Sequence, residues 1–203
     1  MRALALTLAI AVSFAHPALA AGKPSDDLSI QAMHNFAACV VDRTRHGAVS
    51  VLAMDFRSSE YKTAMKKIAR GHDMCTRPGT QIGFGGILLA GGMAERLMAT
   101  EGELVGLPAA AAALTDANPI EARSASEAVA LCVVKAAPDK VTGLLNTQVT
   151  TSAEGQAVSA LGQQLIGCVP AGQKFELNRP GLRAILALAA YRLVGADTAA
   201  GNS

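Results

Sequence analysis

The chain has 203 residues with 18 basic and 16 acidic side chains, a formal net charge of +2, and this near balance excludes the strongly basic surface of a dedicated nucleic-acid binder. Hydrophobic residues make up 51% of the chain, only 3% is aromatic and tryptophan is absent, so the core must be built from Ala, Leu, Val, Ile and Met, a mixture that suits close-packed helices. The length supports one sizeable core without requiring two independent domains.

The N-terminus carries an export pattern. Met1-Arg2 is positive, residues 3–14 are apolar apart from Thr7 and Ser13, and His16-Pro17 ends any helix. Ala18-Leu19-Ala20 then places small residues at both positions that a signal peptidase reads. Residues 1–20 are therefore expected to be a secretory signal peptide cleaved near Ala20. The apolar stretch is shorter than the roughly 20 residues of a membrane span, and no cysteine follows it to carry a lipid anchor. The expected address is periplasmic or secreted, with no transmembrane segment in residues 21–203.

The remaining chain repeats itself. Cys39 and Cys75 stand at the same separation as Cys132 and Cys168, and the two pairs are offset by 93 residues. At that offset Cys39-Val40-Val41, Leu52, Ser59 and Ala64 fall on Cys132-Val133-Val134, Leu145, Ser152 and Ala157. After a three-residue insertion the offset is 96, and Gly85, Arg96 and Leu97 fall on Gly181, Arg192 and Leu193. Such self-similarity predicts a duplicated unit. We expect a first unit over 21–100, a connecting segment over 101–120 and a second unit over 121–203, both units in one domain.

Each unit reads as four short helices. In the first, Asp26 or Asp27 caps a helix to about Asp42, because short polar oxygens bond the N–H groups that a first turn leaves open. His46 to Asp55 follows. Ser58 or Ser59 then caps a third helix with Tyr61, Met65, Ile68 and His72 along one side. Arg77-Pro78-Gly79 is a loop, and residues 86–98 are the fourth helix. The connecting segment, with Leu107-Pro108 and an alanine run, reads as one more. In the second unit, Ser124 or Ser126 opens a helix to Ala136, and Pro138 opens one to Asn146. Ser152 caps one through Gly167, and Asn178 with Pro180 opens the last, to Val194. The alternation at Ile82 and Phe84, and at Phe175 and Leu177, predicts one tiny strand per unit. The expected fold class is all-α: two pseudo-symmetric four-helix units.

An even number of cysteines in an exported chain predicts disulfides, and the repeat selects Cys39–Cys75 and Cys132–Cys168 among the three connectivities. The rival is a metal site, for which His34 and His72 are the candidates beside Cys39 and Cys75. Their counterparts are Glu127 and Leu165, so a metal would account for one copy and a disulfide for both. The cysteines lack the Cys-x-x-Cys spacing of a redox catalyst.

Lys62, Lys66 and Arg70, with Lys67 beside them, form a basic stripe at helical spacing. Its simplest meaning is a solvated face; its functional meaning is a patch for an anionic partner such as an envelope protein or lipid head groups. The glycine-rich stretch over 79–92 completes neither a phosphate loop nor a dinucleotide fingerprint. It predicts a helix that needs small residues (Gly86, Ala90, Ala94) for close approach to a neighbour. Arg96 and Arg192, late in their helices, suit the negative end of the helix dipole. No G-x-S-x-G, H-E-x-x-H or partnered S-x-x-K motif is present, and no cofactor is implied. The sequence thus predicts a non-enzymatic exported interaction or binding protein of the bacterial envelope. The alternative is a periplasmic carrier of a lipid or small apolar ligand. An enzyme ranks third, requiring a cleft that gathers His34, His46 or His72 with a carboxylate.

Overall fold

The computed structural model describes residues 26–76, 85–114 and 119–201, with side chains through residue 195. The leader expected at 1–20, the Arg77-Pro78-Gly79 loop and the first expected strand lie outside these residues. All regular structure among the described residues is helical.

The first two expected helices are one element, α1 (Asp26–Ala53), broken at Thr44, whose φ of −138° and ψ of 52° leave the helical region. The Thr44 hydroxyl donates to the Val40 carbonyl at 2.9 Å, occupying an acceptor near the break. Helix α2 (Ser59–Arg70) starts at Ser58, whose Oγ accepts the Tyr61 N–H at 3.0 Å. A single 3-10 turn, Asp73–Cys75, follows. Helix α3 (Gly86–Glu101) ends at Gly102, which turns the chain in the left-handed region at φ 71° and leads into α4 (Glu103–Ala113). Pro108 inside α4 has no N–H to give the Leu104 carbonyl; the Thr142 hydroxyl supplies a donor at 3.3 Å instead.

Helix α5 (Ala125–Ala136) is capped by Ser124. It is separated from α6 (Pro138–Leu145) by Ala137, at φ −148° and ψ 58°, because a proline ring pushes the preceding residue out of the helical region. The third expected helix of the second half is divided at Leu161 into α7 (Ser152–Ala160) and α8 (Gly162–Cys168). Its cap is Thr151 rather than Ser152: the Thr151 hydroxyl oxygen accepts the Glu154 N–H at 3.3 Å. The last helix, α9 (Arg179–Gly201), runs past the expected end at Val194. No strand forms at Phe175 and Leu177; an extended segment with no partner strand among the described residues has no ladder to join.

Helices α3 and α9 pack against each other at the centre, with α1 on α3, α5 on α9, and α4 contacting both α9 and α6. Small residues set this approach, as expected, but the critical ones are Gly91 and Gly92. A Cβ on Gly91 would lie 2.5 Å from both Cα and Cβ of Ala184, and one on Gly92 would lie 2.8 Å from the Ala37 Cβ. Ala90 and Ala94 are fully buried. Gly86 makes no close approach: a Cβ there would meet nothing within 4 Å.

Disulfides Cys39–Cys75 and Cys132–Cys168 join α1 to the 3-10 turn and α5 to the end of α8. Each closes a loop with a sequence separation of 36, a constraint on the unfolded chain that stabilises by about 4 kcal/mol on the chain-entropy account. Among the described residues no helix is long and apolar enough to cross a membrane.

Candidate functional site

A cavity of about 280 Å³ lies where the end of α1, the starts of α2, α3 and α5, and the middle of α9 converge. Leu52, Phe56, Ile87, Ile185 and Leu188 make its wall apolar, and Tyr61 and Tyr191 add aromatic faces. These are the two tyrosines of the chain. Neither hydroxyl is a buried unsatisfied group. Burial pushes both phenols above their usual value, and the Glu103 carboxylate adds to the effect at Tyr191.

Arg123, Ser124, Ser126, Glu127 and Arg192 form the polar end. Glu127 is already engaged: its carboxylate accepts the Arg123 backbone N–H at 2.6 Å and pairs with the Arg192 guanidinium. Arg192 also donates to the Glu121 carbonyl at 3.1 Å. The Arg123 guanidinium donates through Nη1 to the Met54 carbonyl at 2.9 Å and is in no ion pair among the described residues.

A second recess, between α1, α3, α7 and α9, is nearly filled, with about 10 Å³ remaining. Its filling is Arg183, 3% exposed. The guanidinium donates to Glu95 from Nε at 2.9 Å and from Nη2 at 2.8 Å. Its Nη1 donates to Thr147 Oγ1 at 3.0 Å and to Glu154 at 3.3 Å, and Nη2 also reaches the Leu145 and Thr147 carbonyls. Glu154 takes a further contact from Arg179 at 3.1 Å, and His34 Nε2 sits 2.9 Å from Glu95. Burial pushes the Glu95 carboxyl up, but the hydrogen bonds from His34 and Arg183 outweigh it and hold the group below its ordinary value. Burial likewise pulls Arg183 down, and Glu95 and Glu154 more than restore its proton. Each charge is met by a partner, as burial in a low dielectric demands.

The histidine candidates do not meet. His34 faces Glu95, whereas His72 lies near the Ile68 carbonyl (Nδ1, 2.9 Å) and Thr44 Oγ1 (Nε2, 3.0 Å). All four cysteines are in disulfides, and among the described residues no group of three His, Cys, Asp or Glu side chains could hold a metal. Lys62, Lys66, Lys67 and Arg70 are exposed along α2, in no ion pair among the described residues, and none lines the cavity. Arg96 pairs with Asp42 across α1 and α3 at 2.8 Å. Tyr191 and Arg192, adjacent in sequence, both line the cavity.

Sequence reading passed over Arg123, Glu127, Glu95 and Arg183. For the last two a signal exists: each interrupts an apolar stretch of a helix whose other faces are buried, and a lone charge there implies a buried partner. Among known proteins, no family model, no curated sequence and no solved structure matches the chain.

Proposed function

We propose that this chain is a non-enzymatic, exported helical binding protein of the bacterial envelope that carries a small apolar molecule in the cavity bounded by Tyr61 and Tyr191. A concave, mostly apolar site with a few convergent polar groups is the usual form of a small-molecule site. The observation that carries the reading is a cavity of about 280 Å³ with a mostly apolar lining and both tyrosines on its wall.

The duplication read from the sequence supports it. The two backbone breaks, Thr44 and Ala137, are 93 residues apart, as are the caps Ser58 and Thr151. At the same two offsets, the cavity residues Tyr61, Ile87, Glu127 and Tyr191 correspond to Glu154, Arg183, His34 and Glu95 of the filled recess. On this reading two pseudo-symmetric units create two equivalent junctions. One is closed by a guanidinium and its carboxylates. The other has lost those charges and gained aromatic and aliphatic groups around an open volume.

The test is titration with the neutral apolar dye N-phenyl-1-naphthylamine. Wild-type protein is expected to bind one equivalent saturably. Gly86→Leu places a side chain at the cavity wall where a Cβ meets nothing. It is expected to keep the circular dichroism of the wild type, with no loss of melting temperature, while weakening dye affinity by about tenfold or more. No saturable binding, or equal binding by both proteins, would overturn the reading. Export is checked by the intact mass of periplasmic protein, expected to match residues 21–203 with both disulfides formed; a full-length mass contradicts it.

A further inference from the structure

We infer that the ligand of this cavity is an amphiphile with a single carboxylate, its hydrocarbon part against the apolar wall and its anionic end on Arg123; this rests on the cavity being a ligand site. The charges that line the cavity are two guanidiniums and one carboxylate. The carboxylate, Glu127, is taken by Arg192 and by a backbone N–H. Arg123 is left half-buried, with a neutral carbonyl as its one acceptor among the described residues.

None of the surrounding carboxylates forms an ion pair with it among the described residues. Asp55 is closed into its own pair with Arg57, with bonds of 3.0 and 2.7 Å. That pairing lowers its pKa to about 2, with Arg123 the least of the causes. Glu121 meets Arg192 through its backbone carbonyl. A guanidinium at an apolar wall without a counterion is electrostatically incomplete, and a carboxylate is the group its planar fork fits best, through two parallel bonds. The start of α5, with Ser124 and Ser126, faces the same end of the cavity and adds a favourable dipole for an anion. The apolar lining residues, Leu52, Phe56, Ile87, Ile185 and Leu188, offer nothing polar to a head group.

Decanoate and decanol share one chain and differ in head group. Each is titrated into wild type, Arg123→Gln and Arg123→Lys, following tyrosine emission, which arises only at the cavity because the chain has no tryptophan. Decanoate is expected to bind wild type about tenfold or more tightly than decanol. Arg123→Gln is expected to erase most of that preference while leaving decanol affinity unchanged, and Arg123→Lys to keep it. Equal binding of the two probes by wild type, or a preference that survives Arg123→Gln, overturns the carboxylate assignment and leaves the apolar site standing. Failure of both probes to bind, with no saturable dye binding either, removes the site itself.

Discussion

A guanidinium that is 3% exposed can sit in an otherwise apolar helix face because the protein surrounds it with acceptors. Glu95, Glu154, Thr147 and two backbone carbonyls accept its hydrogen bonds. Such a group is stable only with its partners present. Arg183→Met would leave Glu95 and Glu154 buried with only His34 and Arg179 beside them, and we expect a loss of about 3–5 kcal/mol, read from the urea midpoint at constant slope. The same network sets the acid limit of stability. Glu95 holds a lower pKa folded than its ordinary 4.5, so the folded state favours the carboxylate more than the unfolded chain does. Its contribution is present above that ordinary value and is lost as pH falls through the lower folded value. A plot of unfolding free energy against pH is therefore expected to fall below about pH 4.5 in wild type, and to fall less steeply in Glu95→Gln.

Among the elements, α3 carries two glycines with opposite consequences. Gly91 lies against Ala184 of α9 with no room for a methyl group. Gly91→Ala must push the two central helices apart, and a cost of about 1–3 kcal/mol follows from overpacking. Gly86, five residues earlier, has open space beside it, so a larger side chain there is expected to leave stability unchanged or raise it, since glycine disfavours helix. Thermal melts should place Gly91→Ala below wild type and the Gly86 variant at or above it. The glycine-rich stretch announced a close approach in the sequence, but not which glycine makes it. That depends on the rotation of α3 against α9, which composition does not encode. Caps and breaks were more legible. Ser58 and Pro138 act where the sequence places them. The break at Thr44 falls in the gap that the sequence leaves between two helices, and the structure narrows it to one residue. The expected strand at Phe175 and Leu177 failed because alternation describes a face and cannot supply a neighbour to pair with.

For the molecule as a whole, the cysteine spacing was the most informative feature, because one repeated separation selects one pairing out of three. The two disulfides are expected to contribute comparably, since their loops have the same sequence separation. Replacing Cys132 and Cys168 together by serine should lower unfolding free energy by about 2–4 kcal/mol while helical circular dichroism persists. The cavity was not legible. Its residues come from the end of α1, the starts of α2, α3 and α5, and the middle of α9, and only the packing of the central helices brings them together. Arg123 gave no signal because an isolated arginine before a helix cap looks like any solvated charge. The proposed duplication makes the asymmetry intelligible. On that proposal, the positions of Glu95, Arg183 and Glu154 in the filled recess correspond to Tyr191, Ile87 and Tyr61, which line the open volume.

Placement of a ligand in that volume is most directly tested by NMR of protein labelled in its tyrosine rings, because the chain has two tyrosines and both line the cavity. On titration with decanol, the account predicts that the ring resonances of Tyr61 and Tyr191 shift together, saturate at one equivalent, and in Gly86→Leu need about tenfold or more decanol to shift as far. Binding of decanol with both tyrosine rings unmoved, or no binding at all, would contradict it.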